Sequence, residues 1–450
     1  MDMPTMPTPP LLLSFYGDDL TGSTDVMEAL ALRGVETVLF LDRPTEAQRS
    51  KFPDVKALGL AGTSRSESPA WMDEHLRPAF DWLAEQGAEI CHYKVCSTFD
   101  SSPAIGNIGR ALELGRAAFG HRPVPLLVGA PQLKRYTAFG ELFAAYRGEV
   151  FRIDRHPVMS RHPVTPMHEA DLRRHLAGQT DLSIALVDHL ALSDGDADAA
   201  VDAALGAEPG AILLDVLNAA TQRSAGRQLQ RLAEAGCRFA VGSSGVEYAL
   251  AEAWKASGRI PGAARFSPLP PVDRLAVVSG SCSPTTERQI RHAEAEGFSA
   301  IAFDPRAFIA GDEAAIAAMT EAALAHLAAG RSVLVHTAMG PESDLGEEIA
   351  NEAGARHAIG RGLGRLQARL VREARLTRAV IAGGDTSSHA LRQLDVHALT
   401  PRFPLAETPG SPVASAHSDD PAIHGLEIAL KGGQVGNDDY FVKLRSGIPG

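Results

Sequence analysis

Residues 11–25 read Leu11-Leu-Leu-Ser-Phe-Tyr16-Gly-Asp-Asp-Leu-Thr-Gly-Ser-Thr-Asp25 and run on into Val26-Met-Glu-Ala-Leu-Ala-Leu-Arg-Gly34. A short, unbroken apolar run ends in a polar turn, and a longer amphipathic stretch follows. That is the pattern of a buried strand feeding a helix. The same alternation recurs at 37–41, 90–95, 126–130, 184–187, 212–216 and 239–241, and again at 275–278, 300–303, 332–336 and 379–382. Apolar runs separated by helical segments predict an α/β chain whose sheets are mainly parallel and flanked by helices. Residues 257–273, SGRIPGAARFSPLPPVD, break the rhythm with four prolines and two glycines. The segment reads as a linker between a domain of residues 1–256 and one of residues 274–450. A long surface loop inside one domain is the alternative.

The chain has 450 residues, 43 Lys+Arg against 55 Asp+Glu, and a formal charge of −12. Nucleic-acid and anionic-membrane surfaces need a positive field, so neither partner is expected. A small anionic ligand in a local pocket remains compatible. Cys91, Cys96, Cys237 and Cys282 form no C-x-x-C pair and no zinc spacing, which fits reduced thiols and a cytoplasmic location. Residues 1–10 lack Lys and Arg, and Asp18 and Asp19 soon stop the apolar run that follows. Neither a signal peptide nor a membrane span is expected.

Several turns carry candidate chemistry. Asp18 and Asp19 follow the first strand, at the carboxyl edge where ligands sit in parallel sheets. Adjacent side chains on a strand point to opposite sides, so one carboxylate can face a ligand as a base while its neighbour orients the turn. Simple helix capping is the competing reading. Lys94, Ser97, Thr98 and Asp100 close the 90–95 run, with Asn107 and Gly109 before a helix. Lysine, hydroxyls and helix-terminal amides suit an anionic, hydroxylated substrate; an ordinary polar turn is the alternative. The proline-stiffened stretch 152–167 offers Arg161 and His162 to a carboxylate, or serves as a connector. Gly242-Ser-Ser-Gly245 is a small-residue turn with amides for an anion.

Beyond residue 273, Ser279-Gly-Ser-Cys-Ser-Pro-Thr-Thr286, Ala382-Gly-Gly-Asp-Thr-Ser-Ser388 and Lys431-Gly-Gly-Gln-Val-Gly436 are glycine-rich turns. Each of the first two joins an apolar run to a helix, and such turns let backbone N–H groups reach phosphates. Three of them favour a phosphate or nucleotide site. There is no G-x-x-x-x-G-K-[ST] loop, no protein-kinase signature, no G-x-G-x-x-G after the first strand and no H-E-x-x-H. Gly360-Arg-Gly-Leu-Gly364 reads as a turn at a helix boundary.

Together these segments resemble the four-carbon acid sugar kinase family. The resemblance runs in order through GDDLTGSTD (17–25), YKVCSTFDS (93–101), GNIG (106–109), HPVTPM (162–167), GSSG (242–245), SGSCSPTTERQ (279–289), GGDTSS (383–388), PGSP (409–412) and KGGQVG (431–436). It implies a substrate domain followed by a nucleotide domain, with ATP and Mg²⁺ used to phosphorylate the terminal hydroxyl of a small acid sugar. Asp19 and Asp18 become the catalytic candidates. Lys94, Ser97, Asp100, Arg161, Gly242 and Ser243 become substrate contacts, and Ser281, Gly383, Gly384, Asp385, Thr386 and Gly433 nucleotide contacts. No metal-ligand set is readable, and a homo-oligomer is left open. Lys94-Val-Cys-Ser-Thr-Phe-Asp resembles the branch acting on 3-oxo acids, 3-oxo-tetronate or 3-oxo-isoapionate, where many members read K-[I/L]-D-S-T. Lys431-Gly-Gly-Gln departs from the more usual Lys-Ser-Gly-Asn. A threonate or erythronate kinase and a non-catalytic sugar-acid sensor are the alternatives; a sensor would have lost the carboxylates or the glycine turns.

Overall fold

The computed structural model describes residues 11–193, 195–340 and 354–449; the side chain of Asp385 lies outside the described residues, as does the segment 1–10. The chain forms two compact units, Met1–Ala264 and Arg265–Gly450, and their boundary falls inside the proline-rich segment 257–273.

In the first unit the strands are β1 (Leu13–Gly17), β2 (Thr37–Phe40), β3 (Ala57–Ala61), β4 (Ile90–Lys94), β5 (Val124–Leu127), β6 (Arg135–Ala138), β7 (Glu141–Tyr146), β8 (Glu149–Arg152), β9 (Ile184–Val187), β10 (Ala211–Leu214) and β11 (Phe239–Gly242). Eight of them form a parallel sheet in the order β2-β3-β1-β4-β11-β5-β10-β9. β1, β4 and β11 are buried along their whole length, which is why they read as continuous apolar runs. Below their carboxyl ends Phe80 packs edge-on to Tyr93 at 5.7 Å and to Phe239 at 5.0 Å. His92 lies fully buried between Glu247 (Nδ1–Oε1, 2.5 Å) and the Gly242 carbonyl (3.1 Å), tying β4 to β11 and to the helix Gly245–Ala256. β6, β7 and β8 form a separate antiparallel sheet.

The second unit contains β12 (Ala276–Ser279), β13 (Ser299–Ala302), β14 (Val333–His336), β15 (Arg378–Ala382), β16 (Val396–Phe403), β17 (Val413–Ser418) and β18 (Glu427–Lys431). They run in the order β13-β14-β12-β15-β18-β17-β16, parallel through β18 and antiparallel at β17. Leu275, Val277, Leu334, Val380 and Ala429 form its core with Phe441 and Leu444 from the last helix, Tyr440–Ser446. The expected α/β class, with a mainly parallel sheet in each unit, is what the chain adopts.

One expectation is corrected here. Gly360, Gly362 and Gly364 lie inside the helix Ala355–Ala374 and not at its edge. Their lack of side chains allows close packing: a Cβ on Gly362 would lie 2.2 Å from Phe308, and one on Gly364 2.5 Å from Ala390.

Candidate functional site

Register sets the first constellation. Gly17 of β1 pairs with Lys94 of β4, and Lys94 with Gly242 of β11. Three neighbouring strands therefore end at one level, and the turns carrying Asp18 and Asp19, Lys94 and Ser243 leave from it.

Asp18 and Asp19 have different environments. Asp19 is the N-cap of the helix Leu20–Leu32 and accepts from the Gly22 N–H at 2.5 Å. Its other oxygen accepts from Arg65 Nη1 at 2.9 Å. Asp18 is buried, and its Oδ1 has no hydrogen-bond partner among the described residues. Burial and the neighbouring Asp19 charge raise the Asp18 carboxyl to about 7, against the pull of Arg65 and Lys94. A Cβ placed on Gly22 would lie 2.9 Å from Asp19 Oδ1, 3.3 Å from Lys94 Nζ and 3.6 Å from Asp18 Oδ1. The three side chains thus surround one small space that the glycine leaves open.

Lys94 is buried, with Nζ 3.5 Å from Asp25 Oδ2. Burial alone would lower its pKa, but Asp25 and Asp18 outweigh it and the net shift is upward. Asp25 also accepts from the Ser244 hydroxyl. After β4 the chain turns sharply: Phe99 is buried at φ 54°, a region bulky residues seldom occupy. The turn brings the Thr98 hydroxyl within 2.5 Å of Asp100, and Thr165 of the His-Pro-Val-Thr stretch donates to the same carboxylate at 3.0 Å. Burial pushes Asp100 up, but Arg65 and the two hydroxyls more than offset it and hold it below its ordinary value. Arg65 spans Asp19 and both oxygens of Asp100 with its side chain 31% exposed. Sequence reading passed over it.

The other expected residues are placed less centrally. Ser97 is half-buried in the Phe99 turn. Arg161 is exposed at the end of the 3₁₀ turn Met159–Arg161. Gly242 is required by close packing, since a Cβ there would lie 1.9 Å from the Leu127 carbonyl. The Ser243 hydroxyl donates to the Val128 carbonyl at 2.6 Å and accepts from Gly245 N–H at 3.0 Å, so it is engaged within the fold. The amides of Ile108 and Gly109 donate to Gln179 Oε1, at 2.9 and 3.3 Å, and the N-cap Asn107 takes Arg110 N–H. This helix end, expected to face an anion, is closed by the protein's own side chains.

The second constellation is also set by register. Ala382 at the end of β15 pairs with Ser279 of β12 on one side and with Lys431 of β18 on the other. Each is followed at once by a glycine. Gly383 has φ 117° and precedes the helix Gly384–Leu391, whose first turn carries Asp385 and Thr386. A Cβ on Gly433 would come within 2.9 Å of Ser281 Oγ, one on Gly280 within 2.2 Å of Thr386 Oγ1, and one on Gly384 would meet nothing within 4 Å. Ser281 and Thr286 share a hydrogen bond of 2.9 Å, and Thr286 donates to the Gly433 carbonyl at 3.1 Å. Gln289 fixes the third turn from below, donating to Val435 and Asn437 carbonyls at 3.1 and 3.0 Å. Lys431 is fully buried beneath these turns. Three level, side-chain-poor turns with backbone amides form a cradle suited to phosphate groups. Among the described residues no group of three or more His, Cys, Asp or Glu side chains could hold a metal, and no helix is long and apolar enough to cross a membrane. No disulfide joins the four cysteines.

Comparison with known proteins follows the same division. Residues 13–250 match a sugar-binding N-terminal domain, and residues 276–441 a nucleotide-binding C-terminal domain. The chain is 46% identical to a 3-oxo-isoapionate kinase of Paraburkholderia graminis, over 97% of this chain and 94% of the relative. It is 32% identical to a 3-oxo-tetronate kinase of Methylobacterium radiotolerans, over 96% of this chain and 98% of the relative. A crystal structure of a Haemophilus influenzae protein, 25% identical, superposes with a TM-score of 0.73 over 96% of this chain and 99% of that one.

Proposed function

Because the chain belongs to the four-carbon acid sugar kinase family, we propose that it transfers the terminal phosphoryl group of ATP to the terminal hydroxyl of a 3-oxo acid sugar. The 46% identity favours 3-oxo-isoapionate over 3-oxo-tetronate as that acid. The observation that carries the reading is the division of labour. The first unit holds a buried carboxyl raised to about 7, with one unpartnered oxygen, between Asp19, Arg65 and Lys94, and the second holds three glycine turns. We assign residues 1–256 to the acid sugar and 274–450 to the nucleotide, joined by 257–273.

Asp18 is the proton acceptor in this reading. A base works best with a pKa near the working pH and a lone pair not engaged in a hydrogen bond, and Asp18 has both, the second at Oδ1. Asp19, ranked first from sequence, is already bound to a helix amide and Arg65, and it positions that arginine. Arg65, with its side chain 31% exposed, offers the substrate carboxylate the N–H hydrogens that Asp19 and Asp100 leave untaken, a role first considered for Arg161. Lys94 supplies a buried positive charge beside Asp25 and Asp18, and Ser97 and Asp100 line the sugar side. As Asp18 takes the hydroxyl proton, the freed oxygen bonds to phosphorus and the bond from phosphorus to the departing ADP oxygen breaks.

The cradle fits ATP: a side chain on Gly433 would fill the space beside Ser281, and Gly384 opens onto unfilled space. Ser281, Thr386 and the backbone of Gly383, Gly384 and Gly433 would hold the phosphates. Asp385 keeps its place as a nucleotide candidate through its position in the turn. Mg²⁺, carried in with ATP, would neutralise phosphate charge; such ions take few protein ligands. Cysteines outside any disulfide and the ATP requirement support a cytoplasmic setting.

The test is a coupled ADP-release assay on 3-oxo-isoapionate, 3-oxo-tetronate, D-threonate, L-threonate and D-erythronate. The expected result is kcat/KM at least about tenfold higher for 3-oxo-isoapionate than for 3-oxo-tetronate, worth about 1.4 kcal/mol of transition-state discrimination. The reverse order moves the assignment to the tetronate. Turnover of plain threonate or erythronate alone removes the 3-oxo assignment. ATP binding without turnover of any acid favours the sensor.

A further inference from the structure

Two lysines are deeply buried, one at the ligand edge of each unit, and their surroundings are opposite. Lys94 has Asp25 at 3.5 Å and Asp18 nearby. Lys431, fully buried, has no ion-pair partner among the described residues. Its Nζ donates to three neutral oxygens: the Gly432 carbonyl at 2.8 Å, Thr286 Oγ1 at 3.1 Å and the Gly433 carbonyl at 3.4 Å. Burial lowers its pKa to about 8. A buried cation without a counter-charge is costly and is seldom retained without use.

Its ligands also have a geometric consequence. A trans peptide points its C=O and the next N–H in opposite directions. With the carbonyls of Gly432 and Gly433 turned to Nζ, the N–H groups of Gly433 and Gln434 face away from the lysine, on the partly exposed side of the turn. Through Thr286 the same ammonium reaches Ser281, which shares a hydrogen bond with that threonine.

We propose that Lys431 is a positioning residue for the nucleotide: it turns the amides of its own loop outward and provides the fixed positive charge that the bound phosphates neutralise. This rests on the nucleotide reading of the second unit and adds to it the group on which phosphate affinity depends.

The groups facing Nζ are Thr286, from the helix that follows Ser281, and the two carbonyls of its own turn. The turn after β12 carries one further titratable group, the Cys282 thiol beside Ser281. The test is calorimetric binding of ADP with Mg²⁺ from about pH 6.5 to about pH 9.5. A charged Lys431 favours binding, so affinity is expected to be steady below about pH 8 and to fall up to about tenfold per pH unit above the free-enzyme pKa. Lys431→Arg, which stays charged throughout, should abolish that alkaline loss. Lys431→Met should bind about 10- to 100-fold more weakly at neutral pH, with no alkaline limb, while a structural defect alone would leave the limb in place. Wild-type affinity that stays flat to the alkaline end, or an alkaline loss that persists in Lys431→Arg and so belongs to another group, overturns the proposal. Wild-type protein that binds no ADP at any pH overturns the kinase reading together with it.

Discussion

Asp18→Asn is expected to lower kcat by about 10²- to 10⁴-fold, the usual worth of a positioned general base, with little change in KM for ATP. The substitution keeps the shape of the side chain and removes the group that receives the proton. The wild-type rate should fall as pH drops through about 7, because a base must be deprotonated to act and the Asp18 carboxyl titrates there. The residual rate of the variant should lose that acid limb. A second signature separates this role from a structural one. The folded state raises the Asp18 pKa above its ordinary value of 3.8, so the ionised carboxylate opposes folding, progressively from about pH 4 and fully above about pH 7. Asparagine removes that opposition. Lys94 loses one of its carboxylate neighbours in exchange, so the net gain is about 1–3 kcal/mol at pH 8, shrinking as pH falls. An inactive but more urea-resistant Asp18→Asn protein is the expected outcome. A near-normal kcat would remove Asp18 as the base. Asp19→Asn should act differently, loosening the helix cap and Arg65, with a rise in KM for the acid exceeding its loss of kcat.

Lys94→Met should do the most damage to the fold. Its ammonium stands 3.5 Å from Asp25 and close to Asp18; Lys94 and Asp18 are buried, and the Asp25 side chain is 16% exposed. Removing one partner of a buried charge cluster costs about 3–5 kcal/mol, because the remaining charge is left uncompensated. Burial already raises the Asp25 pKa, and Lys94 is the first influence opposing that rise. Without the lysine, Asp25 and Asp18 would both take up protons more readily. The loss should therefore be greater at pH 8 than at pH 6, where protonation relieves it. Urea denaturation at both pH values measures this. A pH-independent loss below about 1 kcal/mol would show that the lysine does not balance the two carboxylates. Activity should disappear as well, since the positive charge that draws an anionic acid inward is gone.

The architecture was legible where strands are buried on both faces. β1, β4, β11, β12, β14 and β15 are largely apolar, fully buried strands that end in the polar or glycine turns marking the two ligand edges. β3 was not legible. Ala57-Leu-Gly-Leu-Ala61 has little intrinsic strand character, and the sheet around it imposes its conformation. Missing it also hid Arg65, which lies in the 3₁₀ turn just after it. The strand–polar turn pattern used elsewhere would have found that arginine. The antiparallel strands β6 to β8 and β17 are short and only partly buried or mixed in pattern, so they lack a clear period. At the site, the residue types were readable but their roles were not. Asp18 and Asp19 are adjacent and identical in sequence, and only the cap, the arginine and the burial tell them apart. The same holds for Ser243 and Gly109, whose polar groups prove to be committed to the fold itself.

The central claim is phosphoryl transfer from ATP to a terminal hydroxyl. The most direct measurement is the proton-coupled ³¹P NMR spectrum of the acid product formed from Mg-ATP and 3-oxo-isoapionate. A phosphate monoester on a terminal CH₂–O group gives a triplet, its phosphorus coupled to two equivalent protons, and that triplet should grow in step with ADP. Inorganic phosphate as the sole new signal would mean hydrolysis without an acceptor, and a doublet would place the phosphate on a secondary carbon; either contradicts the account.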